Sequence, residues 1–141
     1  PATAPPREEV SGAKHTRAMD RRSLAILFAV VYQDKFAAAH HRQIRFADSV
    51  LQIEDHVRGF RKKSVLRWRL SPGSWHVEKE QSKIRLVHSL YKMQVTADVP
   101  IFRVELVEGW ESRHYLEKTA LPVLEVEIRT PGRFHSEVTW Q

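Results

Sequence analysis

Short stretches that alternate apolar and polar residues with a period of two recur along this chain, and a backbone so patterned buries one face by forming strands. Gln43-Ile44-Arg45-Phe46 and Val50-Leu51-Gln52-Ile53-Glu54 alternate on either side of Asp48-Ser49, which reads as a turn. In Val65-Leu66-Arg67-Trp68-Arg69-Leu70, the side chains of Leu66, Trp68 and Leu70 share one face and Arg67 and Arg69 the other. Lys83 to His88 alternates again. Phe102, Val104 and Leu106 oppose Arg103 and Glu105, and Leu124, Val126 and Ile128 oppose Glu125, Glu127 and Arg129. Ser71-Pro72-Gly73-Ser74 and Thr130-Pro131-Gly132-Arg133 turn the chain, because Pro sets φ and Gly tolerates the open backbone of a tight reversal.

This pattern predicts about ten short strands with turn chemistry every 8–12 residues or so. One wet and one buried face per sheet is the strand pattern of an antiparallel β-sandwich, so the expected fold is all-β. The sandwich is placed at 11–141 as a single domain, after a disordered or extended lead-in at 1–10 whose first seven residues include three prolines and no bulky apolar group. The chain opens at Pro1 without an initiator Met or a basic-then-apolar leader, and is read as an excised piece of a longer polypeptide or a trimmed mature chain. Glu8 to Arg22 fits either a helical turn or a frayed edge strand. Leu24 to Ala39 is Ala-rich, but Phe28-Ala29-Val30-Val31-Tyr32 favours a strand buried on both faces over a helix.

Composition removes several classes. A length of 141 residues suits one core, and 42% apolar with 28% charged residues excludes wholesale disorder. The longest apolar run, Leu24 to Tyr32, stops well short of the roughly 18 residues of a membrane helix, so no membrane partner is expected. The absence of cysteine excludes a disulfide scaffold, a thiol nucleophile and a Cys-based zinc site.

The net charge of +6 is unevenly laid out. Between Val57 and Leu70 stand Arg58, Arg61, Lys62, Lys63, Arg67 and Arg69 with no acid among them. Between Val104 and Glu127, six Glu oppose only Arg113 and Lys118. The basic stretch fits a polyanion site, since clustered cations gain by displacing condensed counterions. It equally fits a solvated hairpin loop and a charged edge strand that resists aggregation. Nucleic acid is set aside, because Trp68 points away from Arg67 and Arg69 and no helix-turn-helix, zinc-finger or RNP-like motif is present.

Eight histidines include one dense group, His40-His41-Arg42. On a strand His40 and Arg42 share one side and His41 takes the other, a poor arrangement for a metal, and no metal-ligand spacing occurs elsewhere. Asp55 and His56 are likewise neighbours that face apart. No Gly-x-Ser-x-Gly elbow or Gly-rich phosphate loop is present. Glu111 with Glu117 is a carboxylate pair of the kind any acid-rich chain offers, and Tyr115 beside His114 and Arg113 fits a packing residue at a loop rim. No catalytic residue is assigned from these groups alone.

One ordered series of segments is more specific. His40-His41-Arg42-Gln43-Ile44-Arg45-Phe46, then Leu51 through Gly59, then Leu66-Arg67-Trp68-Arg69-Leu70-Ser71-Pro72-Gly73 resembles the heparinase II/III-like family. There the C-terminal β-domain reads H-x-R, a hydrophobic strand, I-x-D-x-(V/L)-x-G, a basic strand and x-L-x-P. Glu111-Ser112-Arg113-His114-Tyr115 followed by Pro122-Val123-Leu124 is similar to that family's S-x-x-Y loop and closing strand. The likeness runs from about Phe28 to Val126. It implies a helical toroid followed by a β-sandwich, with uronate-containing polysaccharide cleaved by β-elimination between them.

The chain departs from the family pattern in lacking the toroid with its catalytic Tyr and the G-H-x-H-A-D type segment. Trp68-Arg69-Leu70 also stands where W-H-L is common, and Asp55-His56 where D-R is common. The resemblance therefore implies a C-terminal sandwich from a bacterial lyase, inactive alone and without a cofactor. It would support the helical toroid domain and line the cleft for an acidic polysaccharide. His40, His41, Arg42, Arg67 and Arg69 are the expected substrate contacts. The periplasm is favoured over the cytoplasm, because polymer-degrading lyases act near their substrate. The alternative is a non-catalytic carbohydrate- or polyanion-binding β-module.

Overall fold

The alternating stretches do pair as strands, and their long-range order decides which side chains meet. The computed structural model describes residues 16–20 and 25–140, with side-chain surroundings from residue 31 onward. Among them run β1 (Thr16–Asp20), β2 (Ala25–Gln33), β3 (Ala39–Ala47), β4 (Val50–Arg58), β5 (Ser64–Arg69), β6 (His76–Glu80), β7 (Lys83–Val87), β8 (Tyr91–Ala97), β9 (Ile101–Glu111), β10 (Thr119–Ile128) and β11 (Gly132–Trp140). An eight-stranded sheet has the order β1-β2-β3-β4-β11-β8-β7-β6, and a three-stranded sheet has the order β5-β10-β9. All pairings are antiparallel. The fold is the expected all-β sandwich, with eleven described strands rather than about ten. The lead-in expected at 1–10 lies outside the described residues.

Two meanders, β1 to β4 and β6 to β8, make the flanks of the large sheet, and β11 joins them by pairing with β4 on one side and β8 on the other. The chain changes sheet at 59–63, 70–75, 98–100 and 129–131. Both Pro-Gly turns therefore sit at sheet crossings rather than at hairpin tips. At the last crossing Gly132 passes so close to its neighbours that a Cβ would lie 2.6 Å from Val99 and 2.7 Å from Asp98. The Arg133 N–H donates to the Asp98 carboxylate at 2.6 Å, which locks two crossings together.

Between the sheets lie Leu66 and Leu70 from β5 and its extension, Leu124, Val126 and Ile128 from β10, Ile84 and Leu86 from β7, Met93 and Val95 from β8, and Phe134 from β11. Side chains of this kind each contribute roughly 1.5–3 kcal/mol when fully buried, so this cluster supplies the main driving force for closing the sandwich.

Two local expectations are corrected. Phe102 does not share the inner face with Val104 and Leu106. The register shifts between Glu127, opposite Arg103, and Ile128, opposite Ile101, and this bulge turns Ile101 inward in place of Phe102. Phe102 is left 54% exposed, with the Arg129 guanidinium 3.1 Å from its ring centroid. The stretch around Val31 is a strand, but it is not buried on both faces, since Val31 and Tyr32 are about half exposed. β2 lies one strand from the edge of the large sheet. Thr16 to Asp20 is an edge strand, the second of the two readings open for that region.

Candidate functional site

β4 places an acid in the apolar phase of its alternation, since Ile53, Asp55 and Val57 all face the second sheet. Asp55 has no solvent exposure, and a bare carboxylate there would be strongly unfavourable. Register supplies its partners. β3 sets Arg42 directly opposite Asp55 and His40 opposite Val57, so both side chains lie on the same face. Arg42 grips the carboxylate with two bonds, Nε to Oδ1 at 2.6 Å and Nη2 to Oδ2 at 3.0 Å. His40 donates from Nε2 to Oδ1 at 2.6 Å. Burial pushes the Asp55 carboxyl up, but the hydrogen bonds and charges of His40 and Arg42 outweigh it, and the group sits below its ordinary value.

The second sheet completes the cluster. The Arg42 guanidinium lies 5.3 Å from the ring of Trp68 on β5, a cation–π contact across the sandwich. Trp68 Nε1 donates to the Ser136 hydroxyl on β11 at 3.2 Å, and Ser136 is itself fully buried. Four strands and both layers therefore meet around one carboxylate. Both oxygens of Asp55 are committed to this clamp. His40, whose side chain is 39% exposed, makes no hydrogen bond from Nδ1 among the described residues, and the buried acid fixes its ring.

Of the five residues expected to contact substrate, the fold brings His40 and Arg42 together at the clamp and Arg67 and Arg69 together elsewhere, and it separates His41 from both pairs. His41 lies on the opposite face of the large sheet, in register with His56. Arg67 and Arg69 lie on the outer face of the small sheet, as their alternation against Trp68 predicts. Arg67 Nε donates to Glu125 at 2.8 Å, and Arg69 donates to the Trp110 carbonyl at 2.7 Å. The two arginines flank an open groove of about 500 Å³ floored by Val107, Gly109 and Val123.

Beside that groove the acid-rich and cation-rich stretches of the sequence meet as paired strands. Arg103 on β9 binds Glu125 at 2.7 Å, Glu127 at 3.4 Å and Glu105, while Lys63 and Arg129 also reach Glu127 at 3.4 and 3.3 Å. Hydrogen bonds from Arg103 and Arg67 hold Glu125 below the usual carboxylate range. At Glu127 burial pushes the carboxyl up, yet Arg129, Lys63 and Arg103 together bring it down. The same bonds raise Arg103 further above its ordinary value. Within the basic stretch, Lys63 and Arg67 are thus neutralised by the protein's own carboxylates. Glu111 is taken by Arg113 at 2.8 Å, and Tyr115 is 91% exposed, so it is not the packing residue expected at the loop rim.

No family model and no curated protein matches the sequence. Solved structures do match the fold. A heparinase III crystal structure aligns at a TM-score of 0.71 and 12% identity, over 92% of this chain and 21% of that one. The heparan sulfate lyase HepC from Pedobacter heparinus aligns at 0.70 and 14%, over 90% and 21%. A heparinase III gene product aligns at 0.66 and 15%, over 82% and 19%. The chain spans about a fifth of the length of each of these structures.

Proposed function

We propose that this chain is the β-sandwich module of a heparinase II/III-like polysaccharide lyase, supporting a helical toroid domain that carries the chemistry. The observation that carries this reading is the likeness of nearly the whole sandwich to about a fifth of heparinase III and heparan sulfate lyase chains. The site agrees with a supporting role. β-Elimination of a uronate requires a group that neutralises the carboxylate, a base for the C5 proton and an acid for the departing oxygen. In the clamp, Arg42 and Asp55 are spent on one another, and only one ring nitrogen of His40 is left without a hydrogen bond among the described residues. The module needs no cofactor for this role, and its partners are the toroid and an acidic, uronate-containing polysaccharide.

Two measurements test it. Purified chain incubated with heparan sulfate, heparin or alginate is expected to give no absorbance from unsaturated uronates, and sustained turnover by this chain alone overturns the reading. The coding sequence upstream of Pro1 is expected to encode a helix-rich region, since this chain spans only about a fifth of each matched structure. A start codon immediately before Pro1 overturns it and favours a free-standing polyanion-binding β-module.

A further inference from the structure

Four cations that neither the clamp nor the outer network uses, Lys35, Arg58, Arg61 and Lys62, belong to the β2–β3 turn and to the end of β4 with the β4–β5 crossing that meets it. Asp34 builds that turn by accepting from the backbone N–H groups of Phe36 and Ala38 at 2.8 and 2.9 Å, so its charge is turned inward to the main chain. Gly59, at φ +73°, passes against the turn, with the position of an added Cβ only 2.0 Å from the Ala37 carbonyl oxygen. This contact brings Arg61 beside Lys35 and Phe36, with Lys62 following Arg61 in the same crossing. Phe36 is 59% exposed, and its ring carries two cations, Lys35 Nζ at 5.3 Å and the Arg61 guanidinium at 5.6 Å from the centroid. Arg58 stands at the same end, in register with Ala39.

Lys35, Arg58, Arg61 and Lys62 are all exposed. Among the described residues none of these four makes an ion pair, in contrast to Lys63 and Arg67 in the same basic stretch. We infer that this tip is a binding site for an acidic polysaccharide, with Lys35, Arg61 and Lys62 receiving its carboxylate or sulfate groups and Arg58 extending the track. The choice of polysaccharide rests on the lyase-module reading and on Phe36. A binder of single-stranded nucleic acid offers free rings to stack on bases, whereas this ring is already a bed for cations and presents charge to the ligand. The site lies apart from Arg67 and Arg69, whose groups are engaged on the outer face of the small sheet.

Heparin is the probe, and the whole chain is the protein to use. The triple variant Lys35→Ala, Arg61→Ala, Lys62→Ala is expected to bind heparin about tenfold more weakly at low salt. The slope of log K against log salt should fall by roughly two, at about 0.7–0.9 per released counterion. Lys62→Glu, a single substitution at an exposed residue, is expected to lower the eluting salt without altering the thermal midpoint. Lys79→Ala, an exposed lysine on β6 at the far edge of the large sheet, is expected to leave heparin binding unchanged. Equal retention of the triple variant and the parent overturns the site, as does a Lys79→Ala loss as large as that of the triple variant. Competition by single-stranded DNA as strong as by heparin at matched charge overturns the polysaccharide assignment. None of these outcomes depends on turnover or on the upstream coding sequence, so the site and the lyase-module reading can fail separately.

Discussion

Replacing Asp55 with Asn keeps the size of the side chain and removes the charge that Arg42 and His40 are arranged around. Breaking one partner of a buried ion pair costs about 3–5 kcal/mol, because the other charge is left stranded. Here Arg42 retains 28% exposure of its side chain and water recovers part of that loss, so a destabilisation of roughly 2–3 kcal/mol is expected. With an unfolding entropy of about 2.1 cal/mol/K per residue over 141 residues, the thermal midpoint should fall by roughly 7–10 °C. Urea unfolding followed by tryptophan emission, alongside a thermal scan, measures both quantities.

The pH dependence supplies an independent check. The Asp55 carboxyl lies below its ordinary 3.8 when folded. Its stabilisation is therefore complete above that value and is lost as pH falls through the lower folded pKa, where the native state also takes the proton. The gap between wild type and Asp55→Asn should stay constant from neutral pH down to about 4 and narrow below it. A variant within about 0.5 kcal/mol of wild type would place the clamp among ordinary surface contacts and refute the argument. A gap that persists unchanged into strong acid would refute it too.

Ser136→Ala should cost about 1 kcal/mol in urea unfolding by leaving the Trp68 N–H without its acceptor, and should shift the Trp68 emission. Gly59→Ala should destabilise by roughly 1–3 kcal/mol from its positive φ, with the clash against Ala37 added, and should also weaken heparin retention by parting the two loops of the tip. Ala37→Gly relieves a φ of 66° at an exposed turn, and a gain of about 0.5 kcal/mol is expected by urea unfolding. Glu125 and Glu127 are held below their ordinary 4.5, so their contribution is present above that pH and lost as pH falls beneath it. High salt should weaken this contribution, since Arg67 and Arg129 are exposed, while the difference made by Asp55 should survive, and acid titration at two ionic strengths separates the two.

Period-two alternation made most strands legible, because facing depends only on residue parity once a strand exists. Parity also placed His40 with Arg42 and set Trp68 against Arg67 and Arg69. It carries no information on which strands become neighbours. Asp55 lies 13 residues from Arg42 along the chain, and Trp68 lies 68 residues from Ser136. A signal for the clamp was nevertheless present, since an acid in the apolar phase of Ile53-Asp55-Val57 demands a cation from an adjacent strand. The bulge at Phe102 was invisible for a different reason. Ile101 and Phe102 are equally apolar, and only the paired register decides which turns inward. The charge runs were legible as blocks, but that Arg67 would find Glu125 and Lys63 would find Glu127 follows from β5 lying beside β10.

The place of β11 between β4 and β8 has a consequence for how the chain comes to exist as a folded object. As residues emerge in order during synthesis, the two meanders are complete while the strand that unites them is still missing. Until Gly132 to Trp140 appear, β4 and β8 each expose an open row of backbone donors and acceptors, and two copies of an unfinished chain can satisfy those rows with one another. A product that stops before residue 132 thus loses the keystone of the large sheet rather than its margin, and is expected to accumulate as aggregate instead of as a smaller sandwich.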